Sequence, residues 1–152
     1  VEKVVINSAA ATRPSLIAEA AKVFGSQAVV GGIDVRRTLL RGARTATHSG
    51  SVDTGQDPVT QARLLVEAGA GEILLNSIDR DGTMSGYDIP LVKSVADAVD
   101  VPVVACGGAG TPDYLHQAIQ AGASAAAAGS MFVFHGKRRA VLINYSNQIL
   151  ST

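Results

Sequence analysis

The sequence has 152 residues, 13 basic and 13 acidic side chains, and a formal net charge of zero. At 47% hydrophobic and 17% charged it has the apolar content of one packed domain, not of a disordered tail. Its neutrality removes the electrostatic case for a nucleic-acid or anionic-membrane partner. A single cysteine, Cys106, excludes an intrachain disulfide framework and a cysteine-based zinc site. No apolar run reaches the ~18 residues of a membrane span. The N-terminus lacks the basic, apolar and small-residue succession of a secretory signal. A cytoplasmic location is therefore expected.

In chain order, short runs rich in Val, Ile and Leu alternate with longer segments of helical period. The first run is Lys3-Val4-Val5-Ile6-Asn7, so the chain opens within what reads as a strand. A helix is expected from Pro14 to Gly25, with proline at its start and glycine at its end. Residues 27–34 read as a second strand ending at Asp34. Residues 35–57 break the rhythm with Arg36, Arg37, Arg41, Arg44 and His48, and read as a long excursion or small hairpin. A helix follows from Asp57-Pro58 to Gly69, then a strand over 72–76 and a helix over 90–98. A strand over 101–105 precedes a helix from Thr111-Pro112 to Gly122, with Thr111 as its N-cap. A small-residue strand is expected over 123–129. Residues 1–134 thus read as one domain of repeated βα units, a partial (βα) barrel, and 135–152 as a tail, extended or helical. Near-continuous apolar strands alternating with helices imply a parallel sheet covered on its outer face, with right-handed crossovers.

The residues with chemical potential fall just after the strands, where ligand sites of parallel α/β folds form. They are Asn7-Ser8, Asp34, residues 76–82, Cys106-Gly107-Gly108-Ala109-Gly110 and Gly129-Ser130. The glycine turn at 107–110 opens onto a helix, where bare backbone N–H groups can approach a phosphate. Tight strand-to-helix turns use glycine in any case. Gly129-Ser130 forms a second small, donor-rich turn, and paired turns after the last strands of a barrel make its phosphate cradle. Asp34 ends a strongly apolar strand, where a carboxylate needs a partner or a function. It reads either as a general acid–base or as a cap for Arg36 or Arg37. In Asp79-Arg80-Asp81-Gly82-Thr83, Arg80 pairs locally or holds the loop. A metal reading of the two aspartates is weak, because no histidine or third carboxylate flanks them, and no metal is expected. Cys106 has no histidine nearby in sequence and reads as packing. His48 and His116 read as surface residues, His135 stays open, and residues 137–139 read as a solvated basic patch.

The stretch from Gly71 through Ile78-Asp79-Arg80-Asp81-Gly82-Thr83 to Asp88 strongly resembles the cyclase subunit of imidazole glycerol phosphate synthase. Phe24-Gly25-Ser26-Gln27-Ala28-Val29-Val30, Ile33-Asp34, Thr47-His48-Ser49-Gly50 and residues 106–110 fit the same family. Residues 134–145 look more like homologues tied to surface-polysaccharide biosynthesis, which brings a sugar-nucleotide amination partner into view. The resemblance implies a partial (βα)8 TIM barrel of about five parallel strands with outer helices. It implies a lyase of histidine biosynthesis with no cofactor. Such an enzyme takes ammonia from a glutaminase partner through the barrel lumen. It joins it to a phosphoribulosyl-formimino nucleotide, forming imidazole glycerol phosphate and an aminoimidazole carboxamide ribotide. Asp34 matches one of two catalytic aspartates. Asp81, Gly82, Gly108, Gly129 and Ser130 match one phosphate site, with Gly107 beside them. Asn7 and Ser8 match part of the other, and Asn76 a position facing the substrate. Lys3 and Glu72 match an ammonia gate, and Glu2 a glutaminase contact.

A full barrel takes about 250 residues, and the match begins at the family's fourth strand. The expectation is a chain impaired alone, with open edges that pair into a homo-oligomer and with Val5, Val29, Leu74 and Val103, or their neighbours, facing the lumen. The competing expectation is a non-catalytic phosphate-binding half-barrel that self-associates.

Overall fold

Hydrogen-bonded register, rather than strand length, organises the chain. The structure, a computed structural model, describes residues 3–39, 42–47, 50, 52–135 and 140–141. Five strands run parallel in the order β1 (Val4–Ile6), β2 (Val29–Thr38), β5 (Glu72–Ser77), β6 (Val103–Cys106) and β7 (Ala125–Ala126). The intervening β3 (Gly42–Thr47) pairs antiparallel with β2, and β4 (Val52–Asp53) pairs antiparallel with β3. Crossover helices α2 (Ser15–Phe24), α3 (Pro58–Glu67), α4 (Ile89–Ala96) and α5 (Pro112–Gln120) cover one face of the sheet. This is the architecture of a partial (βα)8 barrel. No described helix is long and apolar enough to cross a membrane.

Local chemistry starts the helices where the sequence signals them. Asp57 accepts from the Thr60 N–H at 2.9 Å, and Pro58 fills a position that needs no N–H. Thr111 occupies the N-cap of α5, but its hydroxyl makes no capping bond. Pro14 sits one residue before α2 rather than inside it. Two short helices escape the sequence reading: α1 (Ser8–Thr12), from an alanine run that favours helix, and α6 (Ser130–Val133). Asp34 does not end its strand. Four more residues of β2 continue because β3 supplies an antiparallel ladder, from Asp34 opposite Ala46 to Thr38 opposite Gly42. The excursion is thus a hairpin rising over the rim. β6 starts two residues later than expected, since Pro102 has no N–H to give. Of the tail, β8 (Phe134–His135) and β9 (Ala140–Val141) pair antiparallel. Glu2, His48 and residues 137–139 lie outside the described residues.

The core lies between sheet and helices. Val29, Ile33, Val35, Ile73, Leu75, Val103 and Ala105 pack there with Ile17, Leu65, Leu91 and Val95. Val29 and Val103 are therefore buried under helices, not lumen-facing: register puts their neighbours Val30 and Val104 on the other face, with Val5 and Leu74. Val5 is 53% exposed there.

A bidentate ion pair helps tie the hairpin to the rest. Arg37 Nε and Nη2 donate to Asp88 Oδ2 and Oδ1 at 2.6 and 2.8 Å. Asp88 is 2% exposed and also caps α4, accepting from the Leu91 N–H at 3.2 Å. Burial pushes its carboxyl up, but the Arg37 bonds, the Leu91 bond and the charges of Arg37 and Arg80 overcome this and hold it below the ordinary 3.8. A carboxyl depressed in the folded state adds stability above its unfolded value, and the gain is lost as pH falls through the folded value. Asp88→Ala is therefore expected to cost about 2 kcal/mol at pH 7. The gap to the parent should narrow as pH drops below 3.8. Urea melts across that range check both.

Candidate functional site

The C-terminal ends of the strands carry one lateral row of polar side chains. Parallel register aligns Asp34 of β2 with Asn76 of β5, and Asn76 with Cys106 of β6. Asn7 follows β1 beside Gly32. Asp34 is 9% exposed. Its Oδ2 accepts from Asn7 Nδ2 and its Oδ1 from Asn76 Nδ2, both at 3.0 Å. An ionised carboxylate accepts only, so two amides from flanking strands fix its orientation and compensate its burial. Gly32 makes the reach possible: a Cβ there would stand 2.9 Å from Asn7 Cβ. Asn76 Oδ1 is buried without a hydrogen-bond partner. Ser8 opens α1 next to Asn7.

Beside this row lies a cavity of about 260 Å³ lined by Asp81, Gly82, Gly107, Gly108, Gly129 and Ser130, with Cys106 and three alanines. The six named first are the residues whose pattern suggests a phosphate cradle. Two of the glycines are demanded by the fold. Gly107 and Gly108 have φ of +88° and +109°, and a Cβ on them would come within 2.4 Å of the Ser77 carbonyl and 2.2 Å of the Gly86 carbonyl. Gly129 differs: a Cβ there would meet nothing within 4 Å, because it faces the cavity's open space.

The loop after β5 is stitched over this cavity. Arg80 Nη1 donates to the Gly86 carbonyl at 3.0 Å, so it holds its own loop. Gly86 N–H donates to the Gly108 carbonyl at 2.8 Å, and Tyr87 OH to the Ala127 carbonyl at 2.7 Å. Burial, then the neighbouring Cys106, pushes the Tyr87 phenol up to about 12, so it remains a donor.

Cys106, which reads as packing in the sequence, lines the cavity instead. Burial raises its thiol pKa, and the charges of Asp81 and Asp34 add to this against a Gly107 backbone bond. It is a poor nucleophile. Thr45, Thr47, Thr54 and Gln61, which the sequence does not single out, line a small crevice with Asp34 and Asn7. The Thr45 and Thr54 hydroxyls are hydrogen-bonded to each other. The alternating Thr45-Ala46-Thr47 is the one sequence signal that points to them. At the far ends of the strands Lys3 Nζ pairs with Glu72. Glu72 sits four residues, roughly 13 Å, before Asn76 on the same face. His116 is exposed on α5, away from the site.

A carboxylate on the sheet face away from the helices, next to a glycine-lined cavity at the C-terminal ends of parallel strands, is the arrangement of a partial (βα)8-barrel protein. The chain belongs to the histidine biosynthesis protein family, whose model matches residues 1–138. It is 52% identical over 146 residues to a putative imidazole glycerol phosphate synthase subunit hisF2 of Pseudomonas aeruginosa, covering 95% of this chain and 58% of that protein. It is 51% identical over 137 residues to the imidazole glycerol phosphate synthase subunit HisF of Salinispora arenicola, covering 88% and 54%. A putative HisF subunit of Leptospira borgpetersenii is 43% identical over 149 residues, covering 97% and 59%. The chain thus spans just over half the length of the curated relatives it matches.

Two substitutions separate the roles of the glycines. Gly108→Ala drives a Cβ into the Gly86 carbonyl and is expected to cost more than about 2 kcal/mol. Gly129→Ala is expected to stay within about 0.5 kcal/mol of the parent. Denaturant midpoints check this. At pH 8 Cys106 should alkylate more slowly than a free thiol, and Asp81→Asn should speed it by removing the nearby charge. Timed iodoacetamide labelling is a direct readout, since Cys106 is the one cysteine of the sequence.

Proposed function

We propose that the chain is the part of an ammonia-using lyase that binds the substrate's phosphate and supplies one of its two acid–base aspartates. The product is imidazole glycerol phosphate. Asp34 is the catalytic group. Asn7 and Asn76 orient it, and with Ser8 they face the substrate. Gly82, Gly107, Gly108, Gly129 and Ser130 give backbone and hydroxyl donors to a phosphate, and Asp81 borders it. Ammonia comes from a glutaminase subunit and passes the Lys3–Glu72 pair on its way up the lumen. Residues 1–134 carry this work.

The observation that supports the reading is the adjacency of the twice-bonded Asp34 carboxylate and the glycine-lined cavity on one strand end. Strand ends of this architecture are where ligands gather. The names of the relatives point the same way. Two amide donors hold the carboxylate in one orientation while each oxygen keeps a further lone pair, so it is positioned to accept a substrate proton.

Ammonia-dependent formation of imidazole glycerol phosphate by the assembled enzyme is the test. Asp34→Asn is expected to lower kcat by about 10²–10⁴-fold while phosphate-ester binding persists. An unchanged rate overturns the assignment. The 152-residue chain alone is expected to bind phosphate esters and turn over slowly or not at all, since one aspartate does half the proton transfer. Turnover at a full rate contradicts this.

Exposure of Val5 on the lumen side favours a second reading, a phosphate-binding partial barrel that pairs with a copy of itself. Light scattering at micromolar concentration distinguishes them: a clean monomer removes the second.

A further inference from the structure

One edge of β2 has a gap in its ladder beside Asp34. β1 pairs with β2 as far as Ile6 opposite Gly31, and β3 takes over that edge from Ala46 opposite Asp34. The other edge belongs to β5, which pairs with β2 from Val30 to Val35 without interruption. Gly32 and Ile33 therefore stand at a notch between two partners. A crevice of about 10 Å³ opens there, lined by Asn7 and Asp34 together with Thr45, Thr54 and Gln61.

Alternation decides the face from which each side chain comes. Ala46, directly opposite Asp34, shares its face. Thr45 stands opposite Val35, so it lies on the other face, where Val35 is buried beneath the helices. Thr45 is itself buried, and Gln61 comes from α3 on that side. The crevice thus passes through the sheet, from the carboxylate to a hydroxyl behind it. Thr54, which is exposed, is hydrogen-bonded to the Thr45 hydroxyl and marks the outer end. Its Oγ1 also donates to the Thr45 carbonyl at 3.0 Å.

The volume admits a single water and nothing of substrate size, and a polar site of that size holds a water through roughly two to four hydrogen bonds. Each Asp34 oxygen accepts one amide bond and keeps a further lone pair. A threonine hydroxyl both donates and accepts.

We propose that the notch is a one-water site and the proton exit of Asp34. Asp34 gives the proton it has taken from the substrate to this water, and the water passes one of its own to the Thr45 hydroxyl. The Thr45 proton moves to Thr54, and a Thr54 proton leaves to bulk solvent. Water and hydroxyls end with the protons they began with, and Asp34 returns to a carboxylate. The exit lies behind the sheet, so substrate over the opposite face does not block it. This deepens the proposed function and rests on its reading of Asp34 as the acid–base group.

The test has a structural and a kinetic arm. A crystal structure of the chain from ammonium-free solution should show one ordered water within hydrogen-bond distance of Asp34 and Thr45; a dry crevice overturns the inference. In the assembled enzyme, Thr45→Val should lower kcat roughly tenfold, a part of the roughly 10²–10⁴-fold that an acid–base step supplies, with KM unchanged. Added imidazole should restore the rate by taking the proton directly, and Thr45→Ser should stay near the parent. Thr54→Val, at an exposed position, cuts the same chain should Thr45→Val not fold. A fall in kcat that imidazole does not restore and Thr45→Ser shares is structural, and overturns the relay. An unchanged kcat in the valine variants, with kcat lowered by Asp34→Asn, overturns the relay and leaves the proposed function standing. An unchanged kcat in Asp34→Asn overturns the proposed function and the relay with it.

Discussion

Parallel register is the constraint on which the rest depends. A one-residue slip between β2 and β5 would turn Asp34 or Asn76 to the opposite face. The carboxylate would then lose one of its two amides and lie against apolar helices. Register is held by the outward-facing side chains, not by the polar ones. Ile33, Val35, Ile73 and Leu75 are buried beneath α3 and α4, and each slip would expose that set. Hydrophobic burial thus positions a charge it does not touch.

The loop between β5 and α4 carries the second constraint. Three of its bonds serve different ends. Arg80 closes the loop on itself, Gly86 fastens it to the glycine turn, and Tyr87 fastens it to the strand beyond. Asp88 then starts α4 and holds the hairpin through Arg37. One short stretch of chain therefore borders the cavity, caps a helix and anchors the rim.

Charge is distributed unevenly around the site. Asp34 and Asp81 bear on the floor, where they also raise the Cys106 thiol. The hairpin above holds Arg36 and Arg44.

Much of this is legible in the residues. Proline and glycine placement locates four helices, and apolar runs locate five parallel strands, because those signals are local. The glycines that line the cavity are legible too as turn residues, since glycine at a strand-to-helix turn has a short list of uses. Other features are not. Asp34 looks like the end of a strand because its continuation is stabilised by β3, a partner 12 residues further along the chain at Ala46. Cys106 looks like core because sequence does not tell which face of a short strand meets helices. Val29 and Val103 look lumen-facing for the same reason. The sequence by itself determined the alternation of elements, the family and the chemistry available at each strand end. Only the tertiary structure decided which side chains share a face, that Asn7 and Asn76 converge on Asp34, and that Arg36 opposes Arg44. Those facts arise from register between segments distant in the chain, and register is settled by burial summed over the whole sheet.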